Sequence, residues 1–259
     1  MPPEMDWRTP PDEAGGNTLA YSDIAMGYLS RNLRYRADYT RTLRKVKRGA
    51  MNADEATAAL VNRWGISFHT TPEAAFDPKL AVARSDLSPA NIVLAPAPPG
   101  IGAAPTFDYS ALGPVRARIR MGDFLHIILA DPEGDEHLCM CGSPDRPMAV
   151  MLPVGRDSLT RLASAARLFR RLSGTVAGPP VVRPPPFRRR HHLTLLQVLD
   201  GHHAGASRRE LAAALIDAQV CALNAAEWVE SRERKRISRW IREAVDLRDG
   251  GYIRLLHGG

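Results

Sequence analysis

Five cations near the C-terminal end, Arg232, Lys235, Arg236, Arg239 and Arg242, recur at steps of three and four residues or their sums. At about 100° per residue, Arg232, Lys235, Arg239 and Arg242 share one face of a helix, with Arg236 at its margin. Ile237, Trp240, Ile241, Ala244 and Val245 take the opposite side. A helix with an apolar back and a cationic front is built to pair with a polyanion. Its width fits the major groove of duplex DNA, where an arginine can bind guanine through two hydrogen bonds, worth about 1–3 kcal/mol of base discrimination. Cations beside it neutralise phosphates and make affinity fall with salt. The competing reading is a solvated helix face laced with ion pairs such as Glu230 with Arg234, and cation spacing alone does not separate the two.

Two shorter elements must hold such a helix. Leu195, Leu196 and Leu199 mark a helix from Leu193 to about Asp200 that ends at Gly201, and His202 to Ala206 is a glycine-containing turn. Ser207-Arg208-Arg209-Glu210 is a capping box, typically worth about 1 kcal/mol, after which Leu211, Ala214 and Leu215 face inward. Asn224-Ala225-Ala226-Glu227 opens the third element, with Trp228 anchoring its first turn. This order of elements is that of a helix-turn-helix variant and tips the balance toward DNA contact. Ser207, Arg208 and Arg209 are expected to hold the DNA backbone. Arg232, Lys235, Arg236, Arg239 and Arg242, with Arg234 beside them, are expected at the groove.

Upstream, Val176 to His192 is proline-rich and basic and reads as a stiff tether, with Arg188, Arg189 and Arg190 as auxiliary charge at its end. Before it, Leu159, Leu162, Ala163, Ala166, Phe169 and Leu172 predict an amphipathic helix over 158–172 with Arg161, Arg167, Arg170 and Arg171 on its outer face. From Val115 to Leu152 the period is that of strands. Arg116, Arg118 and Arg120 alternate with Ala117, Ile119 and Met121, and Asp131-Pro132-Glu133-Gly134 is a turn, which predicts a small antiparallel sheet. Ala95 to Pro105 has no core-forming side chains and reads as a linker.

Residues 1–95 read as a helical unit. Tyr21, Ile24, Ala25, Tyr28 and Leu29 have helical spacing within Tyr21–Tyr39, and Asn52-Ala53-Asp54-Glu55 caps a second helix running toward Trp64. Arg31, Arg34, Arg36, Arg41, Arg44, Lys45, Lys47 and Arg48 stand against Asp38 alone. That stretch, centred on Arg41, Arg44 and Lys45, fits an auxiliary phosphate-binding surface or a docking face for another protein equally well. The expected class is mainly α with a small antiparallel β-sheet (α+β). The expected domains are 1–95 and 107–259, joined by 96–106.

Bulk properties agree with a polyanion partner. The 259 residues carry a formal net charge of +7, with 44% hydrophobic and 24% charged residues, an ordinary globular composition. No run approaches the roughly 18 apolar residues of a membrane span, and Met1-Pro2-Pro3-Glu4 lacks the blocks of a secretory signal, so a cytoplasmic, nucleoid-associated protein is expected. Cys139, Cys141 and Cys221 are odd in number and are expected as reduced thiols. His137-Leu138-Cys139-Met140-Cys141 offers ligand types, yet no second cluster stands at zinc-finger spacing, and half-buried strand thiols are the better reading. No phosphate loop, nucleophile elbow or metal-ligand helix appears. His191-His192 and His202-His203 are adjacent pairs that point apart on a helix. No catalytic residue, metal or cofactor is expected.

The C-terminal half resembles the RovC-like DNA-binding domain of bacterial regulators of type VI secretion and of integrative and conjugative elements. The marks are Leu199-Asp200-Gly201, Gly205-Ala206-Ser207-Arg208-Arg209-Glu210, Trp228, Arg236 with Arg239, and Gly250-Gly251-Tyr252-Ile253-Arg254-Leu255-Leu256. The N-terminal part is similar to a short regulator-like domain through Asp6-Trp7-Arg8, Tyr21, Arg31-Asn32, Tyr35, Tyr39 and Arg63-Trp64-Gly65. Ile216-Asp217 and Met26-Gly27 depart from the usual patterns. The resemblance implies a transcription activator with double-stranded DNA as partner, assembled as a homo-oligomer, with RNA polymerase or an antiactivator protein as further partners. The alternative it allows is a protein-binding antiactivator that sequesters another regulator, docking through apolar patches around Trp7 and Trp64.

Overall fold

A computed structural model of the chain describes residues 7–9, 19–68, 77–100, 107–142 and 146–259. Its first described helices are α1 (Tyr21–Leu29), α2 (Leu33–Lys47) and α3 (Ala53–Trp64). Periodicity through Tyr21–Tyr39 predicts one helix where the structure has two. The Asn32 side chain accepts from the Arg34 and Tyr35 amides at 2.9 and 3.1 Å and so starts a new helix. The Asn52 capping box forms as expected, with Oδ1 accepting from the Glu55 amide at 2.7 Å. α3 stops at Gly65, whose φ of 78° is left-handed and where a Cβ would lie 2.7 Å from Leu87 Cδ1. Two short strands, β1 (Ile66–Phe68) and β2 (Ala81–Ala83), pair antiparallel beyond it.

The expected boundary at residue 95 falls inside a strand. β3 (Ile92–Pro96) joins β4 (Val115–Met121), β5 (Phe124–Leu129), β6 (Glu136–Cys141) and β7 (Met148–Met151) in a sheet ordered β4-β5-β6-β3-β7. β4, β5 and β6 form the antiparallel meander that the alternation predicts, turning where the Gly134 amide donates to Asp131 O at 3.0 Å. β3, however, lies parallel to β6, and β7 returns to β3, so this sheet is mixed. Ile92 and Leu94 supply its core together with Ile127, Leu129, Leu138 and Met140, and linker composition begins only past Pro96. Residues 101–106 of the expected linker lie outside the described residues.

The helix over 158–172 forms as α4 (Ser158–Leu172), but inside out. Arg161, Ala165, Arg167 and Leu168 are buried, while Leu159, Leu162, Phe169 and Leu172 are 80%, 52%, 53% and 46% exposed. Two acids decide the matter, Asp131 on the β5–β6 connection and Glu136 at the start of β6. Arg167 lies 3.2 Å from Asp131 and 3.4 Å from Glu136; Arg171 pairs with Asp131 and lies 3.0 Å from Glu136. Arg167 also donates to the Gly178 and Gly134 carbonyls, and Arg161 to that of Ser85. Burial pushes the Glu136 carboxyl up, against the pull of both guanidinium groups. Leaving these acids buried without cations costs several kcal/mol, more than the roughly 1.5–3 kcal/mol from burying one leucine.

Nor is 176–192 a tether throughout. Helix α5 (Pro186–His203) starts at Pro186, where a fixed φ and a missing amide proton suit the first helical position, and runs through the helix expected at Leu193–Asp200. α6 (Arg208–Leu215) follows a short turn. The third element divides at Ser231 into α7 (Ala225–Glu230) and α8 (Arg232–Asp246), and a wide turn leads to α9 (Tyr252–Leu256).

Both ends of the chain share one core. Ile24, Met26, Tyr28 and Leu29 of α1 pack with Leu195, Leu196 and Leu199 of α5, Ala244 of α8 and Leu255 and Leu256 of α9. Trp7 is buried with Val198, Leu211, Ala212, Val220 and Ile237. Gly201 permits that approach, since a Cβ there would lie 2.5 Å from Leu211 Cδ2 and 2.8 Å from the Trp7 ring. Trp64, half-buried, donates to Asp38 and meets Tyr35 edge-on. Trp7 and Trp64, expected as docking patches, are thus engaged within the chain.

His192 sits in the same core, its Nδ1 3.1 Å from the Tyr28 hydroxyl, and burial depresses its pKa to about 4. His191 and Arg188 add to that depression and Glu243 opposes it. The unfolded chain takes up this proton near pH 6.5 and the native one only near 4, so the unfolded state binds more protons between those values. Acidification through that window therefore removes stability, by at most about 1.4 kcal/mol per pH unit for this group. Urea unfolding of His192→Phe at a series of pH values should show a slope between pH 6.5 and 4 shallower by up to that amount. Equal slopes in the two proteins would contradict the burial of a neutral imidazole.

Candidate nucleic-acid interface

α8 is held from behind by two apolar clusters. Ile237, fully buried, packs with Val198, Leu211, Ala212 and Val220, a contact worth about 2–3 kcal/mol; Ala244 enters the core shared with α1 and α9, and Trp240 touches both. Ser231 sets the start of the helix. Its hydroxyl accepts from the Arg234 amide at 3.1 Å and donates to Trp228 O at 2.9 Å, ending α7 and beginning α8.

The front of α8 carries the expected row. Arg232, Lys235, Arg236, Arg239 and Arg242 are all exposed along one continuous helix. From Arg232 to Arg242 is about 15 Å of helix, about four base-pair steps. The acids nearby leave the row positive. Glu243 lies 2.9 Å from His191 Nε2 and Asp246 lies 2.6 Å from Arg254; within the row Arg232, 95% exposed, donates to Glu233 at 3.1 Å and Glu230 reaches Lys235 only at 3.7 Å, exposed pairs worth about 0–1 kcal/mol each that leave Arg236, Arg239 and Arg242 without an acid among the described ion pairs. The Arg236 guanidinium lies 5.4 Å from the Trp240 ring centroid, a cation–π contact that steadies an otherwise exposed side chain.

Two expected contacts are used elsewhere. Arg209 is half-buried, donating to the Val220 and Leu223 carbonyls and lying 5.8 Å from the Trp228 ring, so it clasps the segment before α7. Arg234 turns back to donate to Val229 O at 2.9 Å, where α7 would otherwise leave a carbonyl unpaired. The expected Glu230–Arg234 pair is replaced by Glu230–Lys235. Ser207 forms its capping box, accepting from the Glu210 amide at 3.2 Å, and Arg208 is exposed on the first turn of α6. Ile216-Asp217 still closes that helix, because Asp217 accepts from the Gln219 amide at 2.9 Å and caps the next turn.

Among the auxiliary cations, Arg188 and Arg190 are exposed on the first turn of α5 and Arg189 is 4% exposed beneath them. Arg44 and Lys45 are exposed in the last turn of α2, where the helix dipole favours cations, and Arg41 pairs with Asp38 at 3.2 Å. Arg31 leaves the basic stretch altogether. It is 7% exposed and donates to both oxygens of Asp200 at 2.6 Å and to Gly27 O at 2.7 Å. Asn32 donates to Arg248 O at 3.1 Å, and Tyr252 to Trp64 O at 2.7 Å. These contacts, which charge counting misses, fix α1 and α3 to the helices that carry the cationic row. Their one sequence signal is membership of the quoted Arg31-Asn32 and Leu199-Asp200-Gly201 motifs; Asp6, quoted with Trp7, lies outside the described residues.

Cys139 is buried with its Sγ 3.8 Å from His126 Nε2, Cys141 is half-buried and Cys221 exposed. Burial pushes the Cys139 thiol up and the His126 imidazole down to about 4, which leaves both neutral. Among the described residues no three His, Cys, Asp or Glu side chains gather as a metal site, and no helix is long and apolar enough to cross a membrane.

Residues 151–257 match the family of the RovC DNA-binding domain, described as a T6SS transcription factor DNA-binding domain. Residues 6–69 match the proteobacterial transcriptional regulator-like domain, and residues 90–150 a domain of unknown function (DUF7012). No curated protein matches the chain. The first match spans α4 to α9 and with them the whole cationic row.

Proposed function

We propose that this chain, a transcriptional regulator with a T6SS-type DNA-binding domain at residues 151–257, reads duplex DNA by placing α8 in the major groove. One observation carries the reading: five cations lie exposed along one helix whose other side is fixed in the core of the matched domain. Arg236 and Arg239, central in the row, are assigned to base edges. Arg232, Lys235 and Arg242, with Arg208 and the Ser207 end of α6, are assigned to phosphates. Arg188 and Arg190 extend the charged surface. The order α5, α6, α8 makes this a helix-turn-helix variant in which α7 is inserted before the reading helix. The regions 6–69 and 151–257 act as one unit, joined by Arg31–Asp200 and Trp7, with the five-stranded sheet between them in sequence.

The protein activates genes of mobile elements or secretion, in the bacterial cytoplasm, with RNA polymerase as the partner that activation needs. An antiactivator acting through Trp7 and Trp64 is the weaker reading, because both rings are engaged within the chain. Chromatin capture of the tagged protein tests the proposal. It should recover discrete loci that share one motif and lie upstream of conjugation or secretion genes; uniform recovery across the chromosome, or none, would overturn it.

A further inference from the structure

Residues 7–9 lie behind the reading helices as a strap. The Trp7 ring, 6% exposed, shares one buried cluster with Val198 of α5, Leu211 and Ala212 of α6, Val220, and Ile237 of α8. Among the described residues it is the one buried member of that cluster from outside residues 151–257, and it is the largest. The DNA-binding domain therefore takes the centre of one of its cores from the other end of the chain.

α5 is shaped to receive this ring. It carries glycine at 201, inside a helix and without a left-handed φ, where the close approach of the Trp7 ring and of Leu211 leaves no room for a Cβ. One turn earlier Gln197, 7% exposed, donates from Nε2 to the carbonyls of Trp7 and Thr9 at 3.3 and 2.6 Å. A buried amide needs partners, and here the backbone of the strap supplies them. The Arg8 guanidinium lies over the ring, 4.2 Å from its centroid.

The cluster bears on one half of α8. Ile237 pins the half that carries Arg236 and Arg239, while Ala244 is pinned in the core shared with α1 and α9. Loss of the ring leaves a hole in the cluster that holds Ile237 and lets that half rock about the Ala244 end. The two kinds of DNA contact differ in what they tolerate. A bidentate arginine–guanine pair needs two nearly linear hydrogen bonds of about 2.9 Å and fails on a small tilt. Attraction of a long cationic side chain to phosphates is not directional in this way and survives it.

With α8 as the reading helix, as proposed above, we infer that Trp7 is a positioning residue for base readout: the N-terminal strap sets the angle at which α8 enters the groove. The N-terminal region thus contributes to specificity through a residue that does not touch DNA. Arg31 with Asp200, and the core around α1, join the two ends without Trp7, so its loss leaves the chain assembled.

Trp7→Ala and Gln197→Leu in the full chain test this, the second releasing the carbonyls of the strap while keeping the ring. Affinities are measured for a duplex carrying the motif recovered by chromatin capture and for a scrambled duplex of equal length, at a temperature where circular dichroism shows each variant folded. Trp7→Ala should lower the ratio of the two affinities at least about tenfold, the scale of one lost arginine–guanine pair, and Gln197→Leu should lower it less. The slope of log affinity against log salt should not change, and Trp7→Phe should recover most of the ratio. Without DNA, the amides of residues 236–241 should exchange hydrogen at least about tenfold faster in Trp7→Ala, while those of α1 keep their rates. Equal weakening on both duplexes, as a merely structural residue would give, or exchange in α8 no faster than before, would overturn the inference. If the unsubstituted chain treats both duplexes alike, the groove reading fails, and the exchange rates still decide whether the strap holds α8.

Discussion

Replacing Arg208, Arg232, Lys235 and Arg242, the four cations assigned to phosphates, together by alanine should flatten the salt dependence of binding to duplex DNA while leaving the fold intact. Each phosphate neutralised contributes about 0.9 to the slope of log affinity against log salt, so four lost cations remove about 3 to 4 from that slope. Between 50 and 200 mM salt, the unsubstituted chain should therefore lose about 100-fold more affinity than the variant loses, as fluorescence anisotropy on a short duplex can read. All four side chains are exposed, and the apolar back of α8 is built from Ile237, Trp240 and Ala244, so the change in stability should stay within about 0.5 kcal/mol. An unchanged slope would mean that these cations face solvent in the complex.

Arg31→Met should destabilise the whole protein by about 3 kcal/mol, although Arg31 belongs by sequence to a basic stretch. Its side chain is 8% exposed and that of Asp200 21%. Removing the guanidinium strands a largely buried carboxylate and takes a donor from Gly27 O. Because Arg31 stands on the connection after α1 and Asp200 on α5, the loss falls on the joint between the chain's two ends. Urea unfolding should register it, and adding Asp200→Leu should recover much of the loss, since a stranded charge costs more than an apolar pair in its place. A loss of less than about 1 kcal/mol for Arg31→Met would show that the pair is solvated.

How much of this was legible depended on whether the deciding partner lay nearby in sequence. Capping boxes at Asn52, Ser207 and Asn224 are contained within four residues, and each forms as the sequence predicts. The cationic face of α8 follows from helical spacing alone, since nothing distant competes for those side chains. α4 departs from its apolar periodicity for the opposite reason: Arg167 and Arg171 are claimed by Asp131 and Glu136, more than thirty residues away, and pairing outweighs that periodicity. Arg209 and Arg234 are recruited by carbonyls at the ends of short turns, an intramolecular use that residue type and spacing do not reveal. Residue 95, the expected boundary, lies within β3, whose parallel pairing with β6 bridges about forty residues and leaves no local trace. Long-range pairing, whether of charges or of strands, is what composition and period do not carry.

DNA reading by this chain depends on α8 lying in the groove, and a DNA-cutting iron chelate attached at residue 239 examines this directly. In a chain with Cys221→Ser and Arg239→Cys, the chelate should cut both strands at one defined position within each bound site, while the same chelate at Arg44→Cys on α2 should cut weakly and outside the motif. Protection of the site with no cleavage from residue 239, or strong cleavage within the motif from residue 44, would contradict the account.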